Sequence, residues 1–277
     1  MTITPYLFCR QKHFNSCARL FVLAATLFVA WAGMTATDAQ AQSISAPPEK
    51  LRAAFSVWEP FAIEDETGLH GIDPTILAEL ARRMDKSLEL VPCPWRRCLK
   101  MLRDGDIDIL SSLAQTIERE QFAFYIKPAY SRVTPLFYVS IKSHMDITRY
   151  GDLSKLAIGS AVDSRYFEPF DSDTSLNKFE ATSEMLLLRM LEAGRVDTIV
   201  GSDANVDFEI RRNNLGNIIR KATFRPDYHN DIHIAVSRKS PLMGQTKKIA
   251  QIVSDLRKEG FIAKVHARYW PSRDPAT

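Results

Sequence analysis

Cys93 and Cys98, in Pro92-Cys-Pro-Trp-Arg-Arg-Cys98, are the chain's most pointed chemical pair. Their five-residue spacing fits no Cys-x-x-Cys redox site, and a metal would need two further ligands that nothing nearby supplies. A local disulfide and two free thiols packed in a helix turn are the readings left open. His229 and His233 are the two histidines that stand close together, and such a pair on a loop-to-strand stretch is more often structural than metal-binding. The sequence holds no Gly-x-x-x-x-Gly-Lys-Ser/Thr phosphate loop, no His-Glu-x-x-His helix and no Gly-x-Ser-x-Gly elbow. Neither a catalytic residue, a metal nor a cofactor is expected. Polar groups suited to recognition do follow two apolar runs, at Ser111-Ser112 and at Gly201-Ser202-Asp203. The basic residues Arg211, Arg212, Arg220, Lys221 and Arg225 are interleaved with polar neighbours and read as a solvated face.

The elements that must position these groups alternate between strand and helix, which argues an α/β architecture with mostly parallel sheets. Leu51 to Val57 reads as a first strand. Asp73 followed by Pro74 reads as an N-cap and first turn, and Ile76, Leu77, Leu80, Ala81 and Met84 then form one apolar helical face. Ser87 to Val91 is a second strand. Trp95, Cys98, Leu99 and Leu102 recur at helical spacing, Asp104-Gly105 stops that helix, and Ile107 to Leu110 follows as a strand. Leu102-Arg-Asp-Gly-Asp-Ile-Asp-Ile-Leu-Ser-Ser112 is echoed by Leu191-Glu-Ala-Gly-Arg-Val-Asp-Thr-Ile-Val-Gly201. Two copies of a helix-Gly-strand element predict two similar lobes, with ligand bound beyond the carboxyl ends of the strands. Thr134 to Ile141 and Asp231 to Val236 are further strands, placed where the chain would cross between lobes. An amphipathic helix pair from Leu242 to Trp270, broken at Gly260, would pack back on the first lobe.

Length and composition set the class. The chain has 277 residues, 45% of them hydrophobic and 25% charged, the composition of an ordinary globular protein. Arg10, Lys12 and Arg19 precede an uncharged apolar stretch, and Ala39-Gln40-Ala41 follows at the distance of a signal-peptidase site. Its apolar part is shorter than the ~20 residues needed to span a bilayer, and no lipobox is present. Residues 1–41 are therefore expected to be a cleaved signal peptide and the mature chain periplasmic. The formal net charge of +3 owes most of its excess to Arg10, Lys12 and Arg19, so basicity does not point to nucleic acid. Export makes a Cys93–Cys98 disulfide the preferred of the two thiol readings.

Trp58-Glu-Pro-Phe61 after the first strand, Gly71-Ile-Asp73 opening the first helix and Gly105-Asp-Ile-Asp-Ile-Leu-Ser-Ser112 form an ordered set with Thr116-Ile-Glu-Arg119, Phe124 to Tyr130, Ala193-Gly-Arg-Val-Asp197 and a helix ending at Gly260. Over almost the whole mature chain this set resembles the bacterial extracellular solute-binding proteins of family 3, which feed amino-acid ABC importers. The resemblance implies a two-lobed periplasmic-binding-protein fold of type II, each lobe a mostly parallel sheet flanked by helices, with the ligand cleft between them. It places lobe 1 at 42–133 and 232–277 and lobe 2 at 134–231. The implied partners are a small amino-acid-like ligand and a membrane permease, with no nucleic acid, and the protein is implied to be a monomer.

The same resemblance assigns the site. Arg119 would grip the ligand's carboxylate with its planar two-pronged donor. Ser112 and the backbone at Ala114 would add donors, with Ala114 standing where the family often has Ser or Thr. Trp58 and Trp95 would wall the ligand's side chain, although core packing is the competing role for Trp95. In the second lobe Val162-Asp-Ser-Arg-Tyr166 replaces the family's glycine and hydroxyl run, leaving Ser164 and Arg165 as donors. Asp203 is the candidate for the ligand's ammonium, with Ser202 at the strict match. Phe55 stands where members selective for basic amino acids tend to carry an acid. Two alternatives share the scaffold: a dehydratase of cyclic amino-acid precursors using Asp163 or Asp203 as general acid, and a periplasmic sensor reporting to a receptor.

Overall fold

The computed structural model describes residues 49–271, so the segment expected to act as a signal peptide lies outside the described residues. In chain order the elements are β1 (Lys50–Phe55), β2 (Ile63–Asp65), β3 (Gly68–His70), α1 (Ile72–Arg83), β4 (Ser87–Pro92), α2 (Trp95–Asp104), β5 (Ile109–Ala114), α3 (Ile117–Glu120), β6 (Ala123–Tyr125) and β7 (Ser131–Val133). They continue with β8 (Pro135–Ser140), β9 (Ala157–Ala161), β10 (Asn177–Ala181), α4 (Glu184–Glu192), β11 (Thr198–Ser202), α5 (Asp203–Arg212), β12 (Ile219–Lys221), β13 (Asn230–Ser237), α6 (Thr246–Lys258) and α7 (Phe261–Tyr269).

Strand residues separate by alternation into cores on both faces of two sheets, as strands covered on both sides require. Leu51, Ala53 and Ile109 join one cluster of the first sheet while Ala54 and Leu110 join the other. Phe137, Val139 and Val200 face one side of the second sheet, and Leu136, Tyr138 and Ile199 the opposite side. The C-terminal helices supply Ile249, Val253, Leu256, Ile262 and Val265 to the first of these clusters, the packing expected of them.

The two sheets have the same order. The first runs β4-β1-β5-β13-β6, with β7 also paired to β13, and the second runs β10-β9-β11-β8-β12. In each, three adjacent strands are parallel and one neighbour is reversed, β13 in the first and β8 in the second. Both reversed strands are those the chain enters on arriving from the other sheet: β8 directly follows β7, and β13 follows β12. The sequence echo maps onto equivalent places in this arrangement. Gly105 and Gly194 both take left-handed backbone after their helices. Three residues later, Asp108 accepts the backbone N–H of Arg52 on β1 at 3.0 Å, and Asp197 accepts that of Ala157 on β9 at 2.8 Å. Each aspartate thus satisfies an orphan donor at the start of the neighbouring parallel strand, which explains why the echo retains it.

Three local expectations need correction. Asp73 is not the cap of α1: Gly71 is, and the first-turn N–H groups of Ile72 and Asp73 donate to the carbonyls of Pro60 and Phe61. Gly71 has φ 125°, and a Cβ there would sit 2.6 Å from the Phe61 carbonyl oxygen, so only glycine brings the helix start this close. The strand predicted at Ile107 to Leu110 is β5, which runs on to Ala114 because β13 pairs with it through Leu113 and Ala114. Ser111 and Ser112 therefore lie within the strand. Nor is the basic run a merely solvated face, since Arg212 bridges to Glu59, Arg220 to Asp146 and Lys221 to Asp207.

Cys93 and Cys98 form a disulfide with Cα atoms 5.5 Å apart, tying the end of β4 to the first turns of α2. Closing so short a loop stabilises by about 2 kcal/mol through the unfolded chain's entropy. Replacing both cysteines with serine is expected to lower the unfolding free energy by about that amount, read from urea denaturation without reductant. Among the described residues no helix is long and apolar enough to cross a membrane, and no group of three His, Cys, Asp or Glu is placed to hold a metal.

Candidate functional site

The spacing Thr-x-x-Arg has a local cause. Thr116 is the N-cap of the single-turn helix α3, and its hydroxyl accepts the N–H of Arg119 at 3.1 Å, fixing the turn from which the arginine projects. The Arg119 side chain is carried inward, leaving the residue 6% exposed. One guanidinium nitrogen donates to the Ala114 carbonyl at 3.0 Å and the other to the Asp163 carbonyl at 2.9 Å, with the guanidinium carbon 5.7 Å from the Trp95 ring. Burial draws its pKa below the usual arginine value. Among the described residues no ion pair includes Arg119. A desolvated cation held by carbonyl dipoles and an indole ring, rather than by a carboxylate, is a site prepared for an anion.

A cavity of about 380 Å³ lies against Arg119 and is walled from both sheets. The first sheet contributes Trp58, Trp95, Ser112, Ala114 and Arg119, and the second contributes Ser164, Arg165 and Ser202. Trp58 stacks on Phe61 with ring centroids 4.5 Å apart, so one face is fixed by the core while the residue lines the cavity. Trp95 has both competing roles: it packs against the core cluster around Cys98 and also lines the cavity, its indole N–H 3.4 Å from the Asp163 carbonyl. Asp163, at φ 55°, turns its segment so that its carbonyl meets Arg119 and its carboxylate meets Arg96 at 2.6 Å. Arg165 reaches Glu118 across the cleft at 3.6 Å.

Two assigned residues sit differently from expectation. Ser112 lines the cavity, but its hydroxyl donates to Asp73 at 2.6 Å and its N–H donates to the Tyr130 hydroxyl at 2.9 Å, so both protons are committed. Asp203 does not line the cavity. Its carboxylate accepts the N–H groups of Thr134 at 2.9 Å and Ala204 at 2.8 Å, tying α5 to the residue that joins β7 to β8. Ser202, the N-cap of α5, is the cavity-lining member of that pair.

Two acids facing the cavity escaped sequence reasoning. Asp73 is 3% exposed and accepts hydroxyl protons from Ser111 at 2.7 Å, Ser112 at 2.6 Å and Tyr130 at 2.6 Å. Burial pushes its pKa up, and the three donors oppose that rise. Glu184 opens α4 behind the cap Ser183; burial pushes its pKa up, and its own backbone N–H and then the Trp58 side chain oppose the rise. Ser183-Glu184 before an apolar run signals a helix start, but nothing local says that this first turn meets the other sheet.

Residues 51–272 match the sequence profile of the bacterial extracellular solute-binding proteins, family 3. The chain belongs to this family. Among its relatives, the probable amino-acid-binding protein YxeM of Bacillus subtilis is 23% identical over 215 residues, covering 76% of this chain and 80% of that protein. The probable histidine-binding protein of Neisseria gonorrhoeae is 24% identical over 261 residues, covering 90% and 94%. In solved structures, a mutant of ArgBP from T. maritima superposes with TM-score 0.72 at 18% identity, covering 80% of this chain and 96% of that one. A histidine kinase sensor domain with similarity to periplasmic binding proteins gives the same TM-score, identity and coverage. The expected family-3 architecture, two α/β lobes of type II with the cleft between them, is the one observed.

Proposed function

We propose that the protein is a periplasmic receptor that captures a small carboxylate-bearing solute, an amino acid or close analogue, and delivers it to the permease of an ABC importer. The observation that carries this reading is the buried guanidinium of Arg119, which among the described residues has no carboxylate partner and faces a cavity walled by both sheets. Among the described residues, those up to 133 with those from Asn230, where β13 begins in the first sheet, form one lobe and 134–229 the other, so the return crossing comes two residues before the expected 232. A solute that touches both lobes shifts an open form to a closed one, in proportion to its differential contacts with the two. Its carboxylate displaces the Asp163 carbonyl from Arg119, Ser164 and Arg165 close over it, and Trp58 and Trp95 wall its body. Glu184 and Ser202, in place of Asp203, receive its donor groups.

The dehydratase alternative loses the two acids named for it. Asp163 is paired with Arg96, and Asp203 is held by two backbone N–H groups outside the cavity. A thermal-shift screen against amino acids and small organic acids tests the binding reading, because any ligand of the native state raises the melting temperature. At least one free carboxylate is expected to stabilise the protein while its amide counterpart does not. Equal shifts from acid and amide would remove the carboxylate from the reading.

A further inference from the structure

The cleft continues past Trp58. That residue and Glu184 line the solute cavity and also a second one of about 650 Å³, whose other charged lining residues are Glu59, Glu64, Glu209 and Arg212. Glu59 follows β1 of the first sheet, whereas Glu209 and Arg212 project from α5 of the second. Across this junction Arg212 donates to the Glu59 carboxylate, and the Asn205 side-chain amide donates to the Glu59 backbone carbonyl at 2.6 Å. Glu209 lines the same cavity, one helical turn before Arg212 on α5, and its carboxyl faces that of Glu59. Two facing carboxyl groups that share a single arginine favour keeping one proton between them. Glu59 is 5% exposed, and among the described residues the buried Asn205 side-chain oxygen has no hydrogen-bond partner.

We propose that Glu59 and Glu209 form a proton-binding site built across the cleft, so that closing the lobes takes up one proton and acidity favours the closed, solute-holding form. This rests on the reading that the cleft closes on its solute. Burial and the facing Glu59 push the Glu209 pKa up to about 8, while Arg212 and Asn213 oppose the rise. The remaining charged groups at the junction are Glu64 beyond Glu59, Asp65 acting on Arg212, and Glu184 at the start of α4. With the lobes apart, Glu209 is solvated and returns to the ordinary carboxyl range near ~4.3. A group whose pKa is higher in the closed form favours closure at low pH and loses that advantage as pH rises. The closing equilibrium therefore falls about tenfold per pH unit between about 5 and 8 and levels off above.

The test needs no solute. Carbon-detected titration of the glutamate carboxyls and small-angle X-ray scattering are run on the protein and on Glu209→Gln from pH 5 to 9. Glu209 is expected to titrate near 8, and the radius of gyration to grow with pH in the parent but stay constant in the variant. A Glu209 titration in the ordinary carboxyl range overturns the proton site. A titration near 8 with identical scattering curves in parent and variant overturns its coupling to closure. Arg119, which carries the solute reading, takes part in neither measurement, so the two ideas fail separately.

Discussion

Arg119→Ala is expected to weaken solute binding at least 100-fold while moving the melting temperature by only a few degrees. Two charge-assisted hydrogen bonds from a guanidinium to a carboxylate are worth about 1.5–3 kcal/mol each, and each 1.4 kcal/mol is a factor of ten in affinity. Stability should change little because two opposing effects accompany the truncation. The Ala114 and Asp163 carbonyls lose their donors, but a buried cation without a counter-ion also disappears. Arg119→Lys separates charge from geometry: it keeps the cation and loses the fork, so its affinity should lie between parent and alanine variant. Calorimetry with the solute identified in the thermal screen reads both. Unchanged affinity in the alanine variant would sink the carboxylate role.

The largest expected loss of stability comes from Asp73→Ala. Its carboxylate is the common acceptor for Ser111, Ser112 and Tyr130, on β5 and just before β7. Removing it strands buried hydroxyl groups and opens a gap at the start of α1, a combination that costs about 3 kcal/mol. Ser112→Ala removes one donor and leaves Asp73 with two, so its cost should be about 1 kcal/mol. Chemical denaturation of the two variants tests this ordering. Equal, small effects would mean that the network contributes little to the first lobe.

Asp73 also shows how far local reading extends. An aspartate before a proline at the head of an apolar helix has the signature of a cap, and the helix is there. Its side chain is free to face the cleft only because the carbonyls of Pro60 and Phe61 satisfy the first turn, a contact that depends on Gly71 and on the loop leaving β1. The length of β5 was hidden for a similar reason, since its last residues are strand only through pairing with β13, more than a hundred residues away. Arg212 looked like one charge in a basic run, and the acid it bridges to lies in the other half of the chain.

Repeating periods and short capping patterns, whose causes are local, are what the sequence by itself determined. They specify alternating strands and helices, the doubled helix-Gly-strand element with its aspartate, the Thr116 turn that carries Arg119, and a cysteine pair close enough to bond. The tertiary structure decided which polar groups face the cavity and which are already occupied. Ser112 has spent its donors, Asp203 is tied to the crossing at Thr134, and Glu184, Ser202 and the Glu59–Glu209 pair stand at the junction instead. A hydrogen bond between sheets joins residues far apart in the chain, and no local period encodes it.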